Sequence, residues 1–330
     1  MRLARRLGIR LAAGLVMIWL VASGTFFLVR LMPGNPVTVA YENDLMHGMN
    51  PNQAKAATAL LYGFVPRQPL PVQYGRYLWQ LAHFNLGRSI SYEGVPVSHI
   101  VAAAAPWTVI MVLSGILVSF LIGVSAGVLA AIRRSTKFGD LLSVSGSLLH
   151  GIPQFVIAIL LAYAFTTIWA IFPFGAPYDV TIAPGWNLPF IWSLITHAFL
   201  PVVAYALSSY GGWLLTMKSS VISVLGDDFI LAAELRGLRP LTVARYIARN
   251  AMLPLFTILA LSIGFMFGGS IFIEEIYDYP GLGYSLLESI GKRDYPLMTG
   301  TFLIITTAVI FANILADLLY GVIDPRVRRI

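Results

Sequence analysis

The stretch PWTVIMVLSGILVSFLIGVSAGVLAAI, Pro106–Ile132, runs for twenty-seven residues without a charged side chain. A helix needs about 20 apolar residues to cross the hydrocarbon core of a bilayer, so this segment reads as a membrane span. Lipid is then the solvent to consider for the rest of the chain. Of its 330 residues, 58% are hydrophobic and only 11% charged, with a mean hydropathy of +0.78. Soluble domains carry roughly 25% charged residues. A balance this apolar leaves too little polar surface to cover a water-exposed face.

Five further segments pass the same length test: Leu11–Val29, Leu141–Ile171, Leu188–Met217, Ala251–Ile273 and Pro296–Ala316. The expected fold class is an all-α polytopic membrane protein with about six transmembrane helices. The Leu141–Ile171 segment contains Pro153, which removes a backbone donor and should kink the span or leave its first turn on the surface. The N-terminal MRLARRLGIR resembles the basic region of a signal peptide. Leu11–Val29 is longer than a signal core, however, and no small-x-small cleavage site follows, so a retained first helix is expected.

Orientation comes from Lys and Arg. With the N-terminus inside, fifteen of the 22 basic residues fall in inner segments, among them Arg133, Arg134, Lys137, Arg239, Arg245 and Arg249. This is a positive-inside bias, and it places both termini in the cytoplasm. The basic residues cluster between apolar runs, without the interleaved aromatics of a nucleic-acid groove. The outer loop before the last span is acidic, with Glu274, Glu275, Asp278, Glu288 and Asp294. The chain divides into residues 1–30 (tail and first helix), 31–99 (an extracytoplasmic segment with a small ordered element) and 100–330, which carries five spans. Within the last part lies a polar cytoplasmic insert at 218–250.

Catalytic patterns are missing from the sequence. The five histidines never fall at metal-ligand spacing, and there is no H-E-x-x-H, G-x-S-x-G or phosphate-cradling G-x-x-x-x-G-K-[ST]. GLGYS at Gly281–Ser285 reads as a turn after Pro280 rather than a phosphate loop. His150, beside Gly151-Ile152-Pro153, is expected to be a hydrogen-bonded structural histidine. Asp317 closes an apolar run and reads as a helix-end carboxylate rather than a relay. With no cysteine in the chain, disulfides and thiolate metal sites are excluded.

The insert contains LAAELRGL at Leu231–Leu238. Asp227 and Asp228 favour a helix start, and Gly237 followed by Pro240 favours a stop. A second basic helical stretch, Thr242–Asn250, leads back to the membrane. A helix of two or three turns is marginal alone in water. On physical grounds it is either an interfacial loop with snorkelling arginines or an element that docks into a partner, and both readings stand.

A resemblance bears on that choice. Ala232-Ala233-x-x-x-Gly237, followed by Met252-Leu253-Pro254, resembles the cytoplasmic signature of ABC importer membrane subunits. Arg30-Leu31-Met32-Pro33-Gly34-Asn35-Pro36-Val37, Pro69-Leu70-Pro71-Val72-Gln73-Tyr74 with Leu86-Gly87-Arg88-Ser89, Gly151-Ile152-Pro153-Gln154-Phe155, Pro280-Gly281-Leu282-Gly283 and Asp324-Pro325-Arg326-Val327-Arg328 resemble, in collinear order, motifs of the dipeptide/oligopeptide/nickel permease family. Two positions depart from its pattern. Asn35 replaces an acidic residue, and Leu231 stands where the docking helix usually begins with a charged one.

The resemblance implies an ABC importer type I permease-like fold in a prokaryotic cell membrane, forming half of a translocation pathway for peptides or a similar small solute. Phe229, Ala232, Ala233, Glu234, Arg236, Gly237 and Leu238 would couple it to an ATPase. Its partners would be a second homologous permease, one or two ATPase subunits, an extracytoplasmic solute-binding protein and membrane lipid, with no nucleic acid. ATP and Mg would be bound by the ATPases, so the chain is expected to hold no cofactor, metal or catalytic residue. A stand-alone secondary transporter or channel, or a non-transporting scaffold subunit, are the alternative classes. The sequence names no substrate-binding residue.

Overall fold

The computed structural model describes residues 2–31, 36–62, 69–264 and 270–323. The motifs at Arg30–Val37 and Asp324–Arg328 lie wholly or partly outside the described residues, as do the side chains of Glu234 and Asp317. Every regular element among the described residues is helical. In chain order come α1 (Arg2–Leu31), α2 (Pro36–Met46), α3 (Pro51–Tyr62), α4 (Leu70–Ala82) and α5 (Val97–Ile132). Next are α6 (Lys137–Gly151), α7 (Gln154–Ala162), which ends in a π-helical turn at Tyr163–Ile168, and α8 (Leu188–Leu225). Then follow α9 (Asp228–Leu235), α10 (Pro240–Ala251), α11 (Leu253–Gly264), α12 (Ile271–Ile276), α13 (Leu282–Gly291) and α14 (Tyr295–Ile323).

Gly8–Val29, α5, α8 and Tyr295–Leu315 are each long and apolar enough to cross a membrane, and two bent pairs bring the number of spans to as many as six. In the first pair, α6 and Gln154–Ile168 meet at 97°. Pro153 accounts for this break: it disfavours helical backbone at the residue before it, and Ile152 is accordingly extended at φ −84°, ψ 126°. The span expected at Leu141–Ile171 is therefore two segments at nearly a right angle. The second pair, α10 and Leu253–Ile263, bends by 42°. The second helix of the insert thus runs almost directly into the following span.

The chain forms two compact units, one comprising Met1–Thr108 with Pro280–Ile314, the other Val109–Tyr279 with Leu315–Ile330. In the first, the described residues of the 31–99 segment carry α2, α3 and α4, and α4 packs on α1. Phe26 packs its ring 5.4 Å from Tyr74 and 5.2 Å from Tyr77, and the Ser23 and Tyr74 hydroxyls share a 2.6 Å hydrogen bond. The acidic stretch expected to be a loop is instead helical over α12 and α13. GLGYS is the start of α13 rather than a free turn, anchored by the Leu282 N–H donating to Thr108 Oγ1 at 2.8 Å. Nor is the acidity there all solvated, since Glu274 and Asp294 are fully buried.

In the second unit α8 is the central element, packed by α5, α6, α7, α10 and α11. Asn187 caps its N-terminus by accepting from the Phe190 N–H at 2.9 Å. Toward its C-terminus, Lys218 Nζ donates to Ser143 Oγ of α6 at 2.6 Å. His150 rests its Cβ against the Gly211 backbone, and among the described residues it has no side-chain hydrogen bond. It is exposed and does not make the hydrogen bond expected of it.

Candidate functional site

The polar insert folds as two short helices on the end of α8. Helix α9 starts at Asp228, with an acidic residue in its first turn, as the positive end of the helix dipole favours. It stops after two turns because Gly237 takes the left-handed conformation, φ +69°, which costs a residue with a side chain about 1–2 kcal/mol. The Leu238 N–H then reaches back to the Ala233 carbonyl at 3.2 Å, satisfying an end-of-helix acceptor. Pro240 begins α10 where its missing N–H is harmless. Helix α10 closes against α8 through Ser220 Oγ, which donates to the Ala251 carbonyl at 2.7 Å.

The two faces of α9 differ sharply. Ile230 and Ala233 are 2% and 5% exposed. They enter a core with Val221 and Val224 of α8, Val243 and Ala251 of α10, Leu255 of α11, and Phe120, Val124 and Ala131 of α5. The other face is apolar but uncovered. Leu231 is 57% and Leu235 80% exposed, with Phe229, Leu238 and Leu241 also exposed. Singly exposed leucines are common, but here five large apolar side chains are exposed on one short two-helix element.

The expected coupling residues therefore split. Phe229, Ala232, Arg236, Gly237 and Leu238 are on the exposed side. Ala233 is not, because it packs against the chain's own spans and serves to seat the helix. Glu234 has no described side chain. Leu231 and Leu235 were missed, although their i, i+4 spacing places them on one face of a helix. Leu231, a departure when a charged residue is expected, fits as the first apolar residue of that face.

A second cluster lies in the first unit, around Asp294. Its carboxylate accepts from the Ser89 hydroxyl, from the N–H groups of Ile90 and Ser91 at 2.9 Å each, and from the Leu297 N–H at 3.1 Å in the first turn of α14. Nearby, the Tyr92 hydroxyl donates to Glu288 Oε2 at 2.6 Å, and Lys292 Nζ pairs with Glu288 Oε1 at the same distance. Burial and the bond to Glu288 hold the Tyr92 phenol above its ordinary pKa. These contacts bind the 88–96 turn to the α13–α14 corner. Every hydrogen-bonding group in them has a structural task, and among the described residues no group of three or more His, Asp or Glu is arranged to hold a metal.

Comparison with known proteins gives a consistent result. Residues 123–329 match the family model described as binding-protein-dependent transport system inner membrane component. A candidate peptide permease protein of Brucella suis is 34% identical over 323 residues, 97% of each chain. The oligopeptide transport system permease protein AppB of Bacillus subtilis is 29% identical over 307 residues, 92% of each. The nickel import system permease protein NikB of Staphylococcus aureus is 31% identical over 322 residues, 97% of this chain and 90% of that one. The chain belongs to the family of binding-protein-dependent transport inner membrane components, and is a multi-pass, non-catalytic membrane subunit of an ABC importer.

Proposed function

We propose that this subunit forms half of a pathway for peptides and receives ATP-driven motion through α9. The observation that carries the reading is the two-sidedness of that helix: Ile230 and Ala233 are locked into the spans while Leu231 and Leu235 stand free. A partner ATPase seated on the free face would push on a helix whose other face belongs to one apolar core shared by residues of α5, α8, α10 and α11. Motion would then reach four helices through one contact, as a lever rather than a flexible tether. Apolar docking also accounts for Leu231, since a leucine there adds buried area where a charged residue would add an ion pair.

The wider assembly follows the same reading. A second homologous permease would complete the pathway, with one or two ATPases on the cytoplasmic side binding ATP and Mg. A solute-binding protein would press on the 31–99 and 274–294 segments from outside. Both termini would be cytoplasmic, an orientation supported by Arg133, Arg134 and Lys137 at the α5–α6 turn and by Arg239, Arg245 and Arg249 around α10. The peptide assignment rests on the names of the Brucella and Bacillus relatives. The test is purification of the tagged chain from its native membrane. We expect ATPase subunits to co-purify with it, and at least tenfold less of them with the Leu231→Asp, Leu235→Asp double variant at unchanged permease level. Recovery of a lone chain, with transport surviving ATP depletion, would sink the proposal.

A further inference from the structure

Within the second unit a cavity of about 220 Å³ is bounded by Tyr205, Ser209, Gly212 and Thr216 of α8, Ser262 of α11, and Ile116 of α5 among its walls. The α8 residues are spaced i, i+4, i+7 and i+11, so they form one continuous face of that helix. The opening is more than ten times the ~10–15 Å³ needed to admit a water molecule.

The hydroxyls on this face behave differently from others in the spans. Ser119, Ser125, Thr166 and Ser208 each donate to a carbonyl three or four residues earlier, the usual refuge of a hydroxyl in a membrane helix. Among the described residues, the hydroxyls of Tyr205, Ser209, Thr216 and Ser262 have no such bond, and all four residues line one space. At membrane depth an unbonded hydroxyl must find water or a solute. The position of Tyr205 is also fixed from behind. A Cβ placed on Gly115 of α5 would come within 2.8 Å of its ring, so the glycine is what lets the tyrosine approach α5 closely. Trp213, whose indole N–H donates to Ser119 Oγ at 3.1 Å, forms a satisfied, rigid part of the same wall.

We infer that the Tyr205–Ser209–Gly212–Thr216 face, completed by Ser262, lines the solute passage and contacts neutral hydrogen-bonding groups such as the amides of a peptide backbone. This assignment rests on the importer reading above. Hydroxyls both donate and accept, so they can follow an amide chain without selecting side chains. No Asp, Glu, Lys or Arg lies among the residues bounding the cavity, so nothing in its wall would hold a charged terminus fast. A Cβ placed on Gly212 would lie in ordinary contact with the His150 ring, at 3.6 Å.

The chain has no cysteine, so single-cysteine variants can be made in the full importer complex without removing native thiols from this subunit. We expect Ser209→Cys and Ser262→Cys to react with a charged methanethiosulfonate reagent at least tenfold faster than Ser208→Cys. Their rates should change when the ATPases are trapped with vanadate, and modification should lower ATP-dependent uptake of trialanine at least tenfold while ATP hydrolysis continues. Labelling no faster than at Ser208→Cys, or full labelling with undiminished uptake, would overturn the assignment. A wild-type complex that takes up no trialanine counts against the peptide reading alone, and the labelling rates then still decide whether this face is an aqueous wall.

Discussion

The α9 element and the Asp294 cluster are both small, and they are held by opposite means. Helix α9 is seated by Ile230 and Ala233 in an apolar core, and its backbone bonds close its own ends, from the Ile230 N–H to the Asp227 carbonyl and from the Leu238 N–H to the Ala233 carbonyl. Asp294 has no exposed surface and is fixed by four donors that converge on its two oxygens. Apolar contact is non-directional and tolerates small sliding. A buried carboxylate with four aimed donors has one geometry, and leaving it is costly. The contrast fits the proposed role of α9 in transmitting displacement and, separately, a role for Asp294 in keeping two segments together.

The contrast would be broken most decisively at Asp294. Asp294→Ala would leave four donors without an acceptor, two of them, Ser89 and Leu297, in buried bonds, at about 1–3 kcal/mol for each buried one before relaxation. We expect a loss of about 3–5 kcal/mol, read as a large drop in the thermal midpoint of the detergent-purified chain. A loss under about 1 kcal/mol would mean that water replaces the carboxylate, and the cluster would then be no lock. On the other side, Ile230→Ala removes buried volume from the α9 seat and should cost about 2–4 kcal/mol. Leu235→Ala, on the free face, should change the stability of the isolated subunit by less than about 0.5 kcal/mol. Equal effects from the two would erase the distinction between seat and docking face.

Much of this could be read in the sequence, for identifiable reasons. The spans were legible because a helix of some twenty uncharged, apolar residues has no polar face to turn toward water, and Pro153 announced the break in the α6–α7 pair. The ends of α9 were legible because Asp228 and Gly237 have local conformational roles. Which side of α9 faces inward was not, because two turns give too few positions for periodicity to separate Ala233 from Leu235. Asp294 was hidden for another reason. Acidic residues between spans read as solvated, and its donors at 89–91 lie more than two hundred positions away in the chain. The hydroxyl face of α8 sits at helical spacing in the sequence. What marks it is that its hydroxyls are unbonded, and only coordinates show that.

Gly237 sharpens the comparison at a smaller scale. Its left-handed backbone ends α9 with open space around it, since nothing lies within 4 Å of an added Cβ. Gly237→Ala should therefore cost about 1–2 kcal/mol from conformation alone, seen as faster amide exchange at Leu238 and up to tenfold weaker ATPase association. A bulkier Gly237→Leu should weaken association further at the same local strain. If alanine and leucine behave alike, the residue matters only as a helix stop, and the approach of a partner is not close at that point.

The smallest effect is expected at the rim of the Asp294 cluster. Lys292 pairs with Glu288 at 2.6 Å with i, i+4 spacing, but its side chain is 52% exposed. Such pairs contribute about 0.3–0.5 kcal/mol and weaken with salt. Lys292→Ala should shift the thermal midpoint by no more than that, and by less still at high ionic strength. Tyr92 would keep its bond to Glu288 in the variant, so the turn would remain attached. A shift several times larger, insensitive to salt, would show that the rim shares the desolvation of Asp294. The lock would then extend across the whole 88–96 turn instead of resting on one buried carboxylate.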